Sequence, residues 1–363
     1  MMQMSQSINY ATHCKSVKLS SALEVFFPLT RDGWYNAAMD KQFSHTKRKS
    51  EPKTIVITDR DVAVFEALLE FTVLSTDQLH SLVSGGRVGF SKRMRVLYDA
   101  GYVARPSVQN ELFRYGDKRP MIHTLGQKGA DYLRIVCGKK VPINTDWERN
   151  ARERKNLRGQ FLLLHNLGAN GATIALRTAL EGLDGITIHS PTQIVEQSPE
   201  WTQKANKPFS IPTRFVWVDG QQHERNIVPD GVIGYEDHRL DKSIKALLFI
   251  EFDQEMDVNR TDPRQSSIRQ KIACYSAMFL DKTVKARYGY DAFRVLFVTT
   301  GSQKHLGTML DCCKTYRSTV GRKIPPYPFF FATRDEFEAS ENPLGDFWRD
   351  GDGSPKAITR LDS

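Results

Sequence analysis

The sequence predicts a mixed α/β protein built from two domains, and three observations carry that expectation. The 363 residues, 40% of them apolar, exceed what one hydrophobic core usually organises. Apolar residues recur at helical spacing from Ile57 to Ile135, and strand patterns alternate with helical ones later in the chain. Charge is uneven as well: residues 1–155 hold 25 Lys and Arg against 16 Asp and Glu, whereas residues 156–363 hold 26 of each. Such an asymmetry marks a polyanion-binding module joined to a second unit, because phosphate contacts come chiefly from Lys and Arg.

No apolar run reaches the roughly 20 residues that span a bilayer, and the amino terminus lacks a basic-then-apolar secretory pattern. The expectation is a cytoplasmic chain with no membrane partner. Cys14, Cys137, Cys274, Cys312 and Cys313 are odd in number and contain no CxxC pair. They read as reduced and structural rather than as a disulfide framework or zinc knuckle.

Residues 1–53 show no sustained period and form an N-terminal extension to which no fold is assigned. A first helix follows in "TDRDVAVFEALLEF", with Thr58 as its cap and Val62, Phe65, Leu68 and Leu69 at helical spacing. "STDQLHSLV" gives a short second helix capped by Ser75 or Thr76. After a glycine-containing turn, "SKRMRVLYDAGYV" gives a third, with Met94 and Leu97 inward and Lys92, Arg93 and Arg95 outward. The remainder of residues 54–140 reads as strand, loop, strand and a fourth helix. This is the order of a winged helix, whose third helix would meet a DNA groove. Arg105, Arg114, Lys118 and Arg119 would line the wing and reach the flanking backbone.

Residues 141–158 form a charged connector, and residues 159–350 the second domain, which opens on a long helical pattern. His165 sits inside its apolar run and reads as a core side chain. Strands follow in "TRFVWVDG", "NIVPDGVIGY" and "KALLFIEFD", then a helix, the strand "FRVLFVTT", the helix "QKHLGTMLDCCKTY" and the strand "PFFFAT". Asp262 and Pro263 suit the start of the first of those helices. Residues 351–363 read as a C-terminal tail.

The stretch "NIVPDGVIGYEDHRLDKSIKALLFIEFDQEMD" carries the chemistry. If the polar turn closes a hairpin, Asp230 falls opposite position 250 and beside Glu251; Glu251 and Asp253 share one strand face, and the register decides whether Asp230 joins them. Clustered carboxylates call for a cation, and hard oxygen ligands suit Mg²⁺ or Mn²⁺. Lys271 and Tyr275, one helical turn apart, share a face of the following helix, and Lys271 could stabilise developing charge.

Pro229-Asp230 and Glu251-Phe252-Asp253 are similar to the PD-(D/E)xK nuclease core, in which a mixed sheet packs between helices and the acidic residues bind Mg²⁺. Asp253 stands where that core has lysine. Lys271 and Tyr275 resemble the glutamine-and-tyrosine helix motif of recombination-associated exonucleases in the same group, with lysine for glutamine. Over residues 57–350 the chain resembles the bacterial plasmid replication-relaxation family, through the winged helix, "LLHNLGAN", "PDGVIG", "FIEFDQEMD", the helix with Tyr275, and "NPLGDFWRD". That resemblance implies a winged helix followed by a nuclease-like domain, acting on double-stranded DNA of a plasmid or other mobile element in replication, relaxation or transfer. Replication or transfer proteins and a second copy of the chain are further candidate partners. Two function classes are expected. One is a DNA-binding factor with a nuclease-like scaffold and no cofactor. The other is an endonuclease or nickase with Asp230, Glu251 and Asp253 on Mg²⁺ or Mn²⁺ and Lys271 and Tyr275 beside them. A transcriptional repressor is the weaker third.

Overall fold

The computed structural model describes residues 48, 54–83, 85–110, 120–141, 157–239, 243–319, 324–326 and 328–358. The N-terminal extension other than Arg48, most of the connector, and the wing cations Arg114, Lys118 and Arg119 lie outside the described residues.

The N-terminal unit begins with α1 (Asp59–Phe71), started as the sequence predicts by a capping box. Thr58 Oγ1 accepts from the Asp61 amide at 3.4 Å, and the Asp61 carboxylate accepts from the Thr58 amide at 2.8 Å. A short strand, β1 (Val73–Ser75), comes next and was not legible as one. Ser75 caps α2 (Thr76–Leu82), and α3 (Arg87–Ala100) starts four residues earlier than its apolar spacing suggests. Gly101 ends α3 at φ 89°, a left-handed conformation that favours glycine. Then come β2 (Val103–Ala104), β3 (Ile122–Leu125) and α4 (Gln127–Ile135). The three strands form an antiparallel sheet in the order β1-β3-β2. Phe65, Leu68, Leu79, Met94, Leu97, Leu125 and Leu133 close the core between sheet and helices.

The second domain is mixed α/β around a mixed central sheet. Its elements are α5 (Leu157–Glu181), β4 (Ile186–His189), α6 (Pro191–Glu196), α7 (Glu200–Gln203), β5 (Ile211–Val216), β6 (Gln222–Ile227), β7 (Gly231–Asp237), β8 (Ile244–Asp253), α8 (Ile268–Leu280), α9 (Thr283–Tyr288), β9 (Ala292–Thr299), α10 (Gln303–Thr319), β10 (Phe329–Thr333), α11 (Arg334–Ala339) and β11 (Arg349–Asp350). The sheet runs β11-β10-β9-β8-β7-β4, with β8, β9 and β10 parallel and the other neighbours antiparallel. β5 and β6 pair separately and pack on α8.

Alternation along β8 sorts its side chains between two layers. Leu247 and Phe249 join the core under α8 and α10, whereas Leu248, Ile250 and Phe252 join the core under α5. Glu251 and Asp253 continue the first series, so both point into the α8 and α10 layer. The hairpin register is one position from the expected one: Gly231 lies opposite Ile250, and Asp230 sits just before the strand. Ser267, not Asp262, caps α8, accepting from the Gln270 amide at 3.1 Å. Residues 351–358, expected as a tail, return to the domain, where Ile358 is buried and Lys356 bonds the Trp348 carbonyl.

The helix α5 is the wall that both units share. Asn170 donates to the carbonyls of Phe71 and Val73 at 2.9 and 2.6 Å, and Gln78 donates to the Leu167 carbonyl at 2.8 Å. On its other side, α5 approaches the sheet so closely that a Cβ at Gly168 would overlap the Phe252 ring. Gly168→Ala is therefore expected to destabilise the protein by about 1–3 kcal/mol through overpacking, read from the urea midpoint.

Candidate functional site

Asp230, Glu251, Lys271 and Tyr275 meet at the carboxyl end of β8. Glu251 is 1% exposed and Tyr275 fully buried. The Tyr275 hydroxyl donates to Glu251 Oε1 at 2.5 Å, and the Lys271 ammonium contacts Glu251 Oε2. That ammonium also lies 3.7 Å from Asp230 Oδ2. The residue spacing explains the pairing: Lys271 and Tyr275 are one turn apart on the face of α8 turned to the sheet.

Asp230 is held from three sides. Its Oδ2 accepts from the Phe252 amide at 2.9 Å, and His165 Nε2 lies 3.4 Å away. His165 was expected in the core. Instead its ring stands edge-on to Phe252 at 5.9 Å with a partly exposed side chain, on the α5 side of the cluster. Asp253, on the same strand face as Glu251, turns to other partners. Thr299 Oγ1 donates to its Oδ2 at 2.7 Å, His305 Nε2 lies 2.9 Å from the same oxygen, and the Met256 amide donates to Oδ1 at 2.9 Å. Thr299 and His305 carry no sequence signal, because only the parallel pairing of β8 with β9 brings them to Asp253.

Burial divides the two carboxyls that share Lys271. Burial alone would raise Asp230, but Lys271, His165 and the Phe252 amide outweigh it and hold the group well below the usual carboxylate range. Burial raises Glu251, Lys271 opposes that, and the neighbouring Asp230 charge adds to it, leaving Glu251 pushed up to about 7. One ammonium cannot fully neutralise two adjacent carboxylates, so one of them keeps its proton more readily. For Lys271, burial would lower the pKa, yet Asp230 and Glu251 prevail and raise it. His165 follows the same logic: burial lowers it, and Asp230 raises it above its ordinary value.

The expected metal ligands fit a divalent ion poorly. Both Glu251 oxygens already accept hydrogen bonds, Asp230 Oδ2 is shared among an amide, an imidazole and an ammonium, and Asp253 is engaged with β9 and α10. Among the described residues no group of three or more His, Cys, Asp or Glu side chains is arranged to hold a metal ion.

The expected DNA-facing cations behave differently from one another. Lys92 is exposed. Arg93 instead donates to both oxygens of Asp61, at 2.9 and 2.6 Å, and Asp61 is 1% exposed. Arg95 pairs with Asp99 at 3.0 Å. Arg105 lies 4.4 Å over the Tyr98 ring rather than on an outer rim, and burial pushes its guanidinium down to about 10. Missed by the sequence reading, Arg87 and Val88 stand exposed at the first turn of α3. The helix start lay four residues upstream of the apolar signal, and this hid them.

No protein-family model, curated protein or solved structure matches the chain.

The shifted Glu251 carboxyl sets a pH dependence. Its folded value near 7 exceeds the ordinary 4.5, so the folded protein keeps a proton that the unfolded chain releases between those values. Its contribution to stability is full below about pH 4.5 and declines as pH rises to about 7, by roughly 1 kcal/mol per unit. The difference in unfolding free energy between the wild type and Glu251→Gln should change with pH across that window, and a flat difference would contradict the assignment.

Proposed function

We propose that the protein is a DNA-binding factor that engages double-stranded DNA through a winged helix at its N-terminal end, with the second domain serving as a nuclease-like scaffold. The observation that carries this is the arrangement of the N-terminal unit. Among the described residues the named elements run helix, strand, two helices, two strands and helix, with the sheet in the order β1-β3-β2; this supports that motif, and the first turns of α3 are exposed. The helix that would enter a major groove presents Arg87, Val88, Ser91 and Lys92 there, residue types suited to phosphates, guanine edges and a thymine methyl. Arg87 pairs with the half-buried Asp77 at 2.7 Å, but its guanidinium is itself exposed and can turn to a phosphate. The excess of Lys and Arg in residues 1–155 supports the same reading. Action on a plasmid or other mobile element, in replication, relaxation or transfer, comes from the family resemblance over residues 57–350.

The internal pairing of Arg93 and Arg95 separates two kinds of variant. Arg87→Ala with Lys92→Ala should leave thermal stability unchanged, weaken duplex binding by roughly 10–100-fold and reduce its salt slope. Arg93→Ala should act on the fold, costing about 1–3 kcal/mol because Asp61 is left buried without its partner. Titrations by fluorescence anisotropy beside urea unfolding read both effects. Unchanged affinity and salt slope in the folded double variant would remove α3 from DNA recognition.

The endonuclease or nickase reading draws on one observation, the meeting of Asp230, Glu251 and Lys271. It requires nicking of supercoiled plasmid with Mg²⁺ or Mn²⁺ that disappears in Glu251→Ala. On the scaffold reading neither ion produces cleavage of duplex, single-stranded or branched substrates.

A further inference from the structure

A PD-(D/E)xK core would hold its carboxylates together with Mg²⁺. Here the same positions are satisfied by the chain itself. The Lys271 ammonium stands between Asp230 and Glu251, touching one and 3.7 Å from the other, which is the bridging position a cation would take. Tyr275 fills the remaining Glu251 oxygen at 2.5 Å. The Phe252 amide binds Asp230, and Thr299, His305 and the Met256 amide bind Asp253. The Lys271 side chain is only 12% exposed, so its charge has little water to fall back on and depends on these partners.

We propose that Lys271 is a tethered counter-ion that takes the place of a divalent metal in this domain, making the cluster a metal-independent staple between α8 and the carboxyl end of β8 where β7 begins. The inference rests on the scaffold reading and assigns that scaffold its central contact. Lys271 is a positioning residue here, because its charge holds the carboxyl end of β8 and the helix in register rather than acting on a substrate. The arrangement also explains why the lysine can sit on α8 while Asp253 occupies the strand position: Asp253 faces α10, and the charge between Asp230 and Glu251 must come from the opposing helix.

The full-length protein tests this directly. After treatment with EDTA, calorimetric titration with Mn²⁺ should give no saturable heat, and the melting temperature should be the same in EDTA and in millimolar Mn²⁺. Lys271→Met should lower the melting temperature by roughly 5–15 °C, since it strands buried carboxyls. Glu251→Gln combined with Lys271→Met should lose clearly less than the sum of the single changes, because the two groups act as one unit. If Lys271→Met does not fold alone, a folded double variant shows the same coupling. Saturable Mn²⁺ binding to the wild type that Asp230→Asn abolishes would overturn the proposal, as would a Lys271→Met protein as stable as the wild type. DNA titrations run in EDTA keep the two readings apart. Loss of the α3 effect would sink DNA recognition and leave the staple standing, while Mn²⁺ binding would sink the staple and leave α3 binding intact.

Discussion

Glu251 points into the layer between the central sheet and α8, where a carboxyl group without donors would cost several kcal/mol. Lys271 and Tyr275 supply those donors, and much of the surrounding backbone is organised so that they can. Ser267 starts α8 at the point that puts both residues on the inward face. The loop ahead of it turns sharply on the Asp253 carboxylate, which accepts from the Glu255 and Met256 amides while Glu255 adopts φ 59°. The same two carboxylates of β8 therefore set both the end of the strand and the position of the helix that follows.

The cluster also reaches the opposite layer. Phe252, between Glu251 and Asp253, faces α5, where Gly168 allows close approach and His165 turns toward Asp230. A second close approach occurs at Gly231, where a side chain would overlap Thr173 of the same helix. Because α5 also binds the N-terminal unit through Asn170 and the Leu167 carbonyl, one helix touches both the carboxylate cluster and β1. The N-terminal unit is thus docked by buried polar contacts as well as by Val73, Ile122, Leu163 and Leu167, which pack together across the junction.

Charge in the N-terminal unit is spent in two ways. Arg93 secures the capped start of α1 through Asp61, so the cation belongs to the fold. Lys92, one residue earlier, remains at the surface. Adjacent cations on one helix point in directions about 100° apart, and counting them along the sequence does not reveal which has an internal partner.

The helices α1 to α5, α8 and α10, the capping of α1 and α2, and the hydrophobic strands β7, β8, β9 and β10 were legible in the sequence because they depend on local spacing and on side chains within a few residues. So was the shared face of Lys271 and Tyr275, which follows from the helical repeat alone. The short strands β1, β4 and β11, the polar strand β6 and the short helices α6, α7, α9 and α11 were not read from the sequence, being too short or too polar for a sustained apolar period. His165, Thr299 and His305 could not be placed beside the carboxylates, because their proximity arises from a helix crossing and a parallel strand pairing between distant segments. The local pattern brought Asp230 near Glu251 but missed the register by one position, since the turn between them does not specify it. Tertiary structure decided which cation neutralises which carboxylate, because in a buried cluster that choice depends on distance and competing donors, and neither is encoded in the spacing of the residues along the chain.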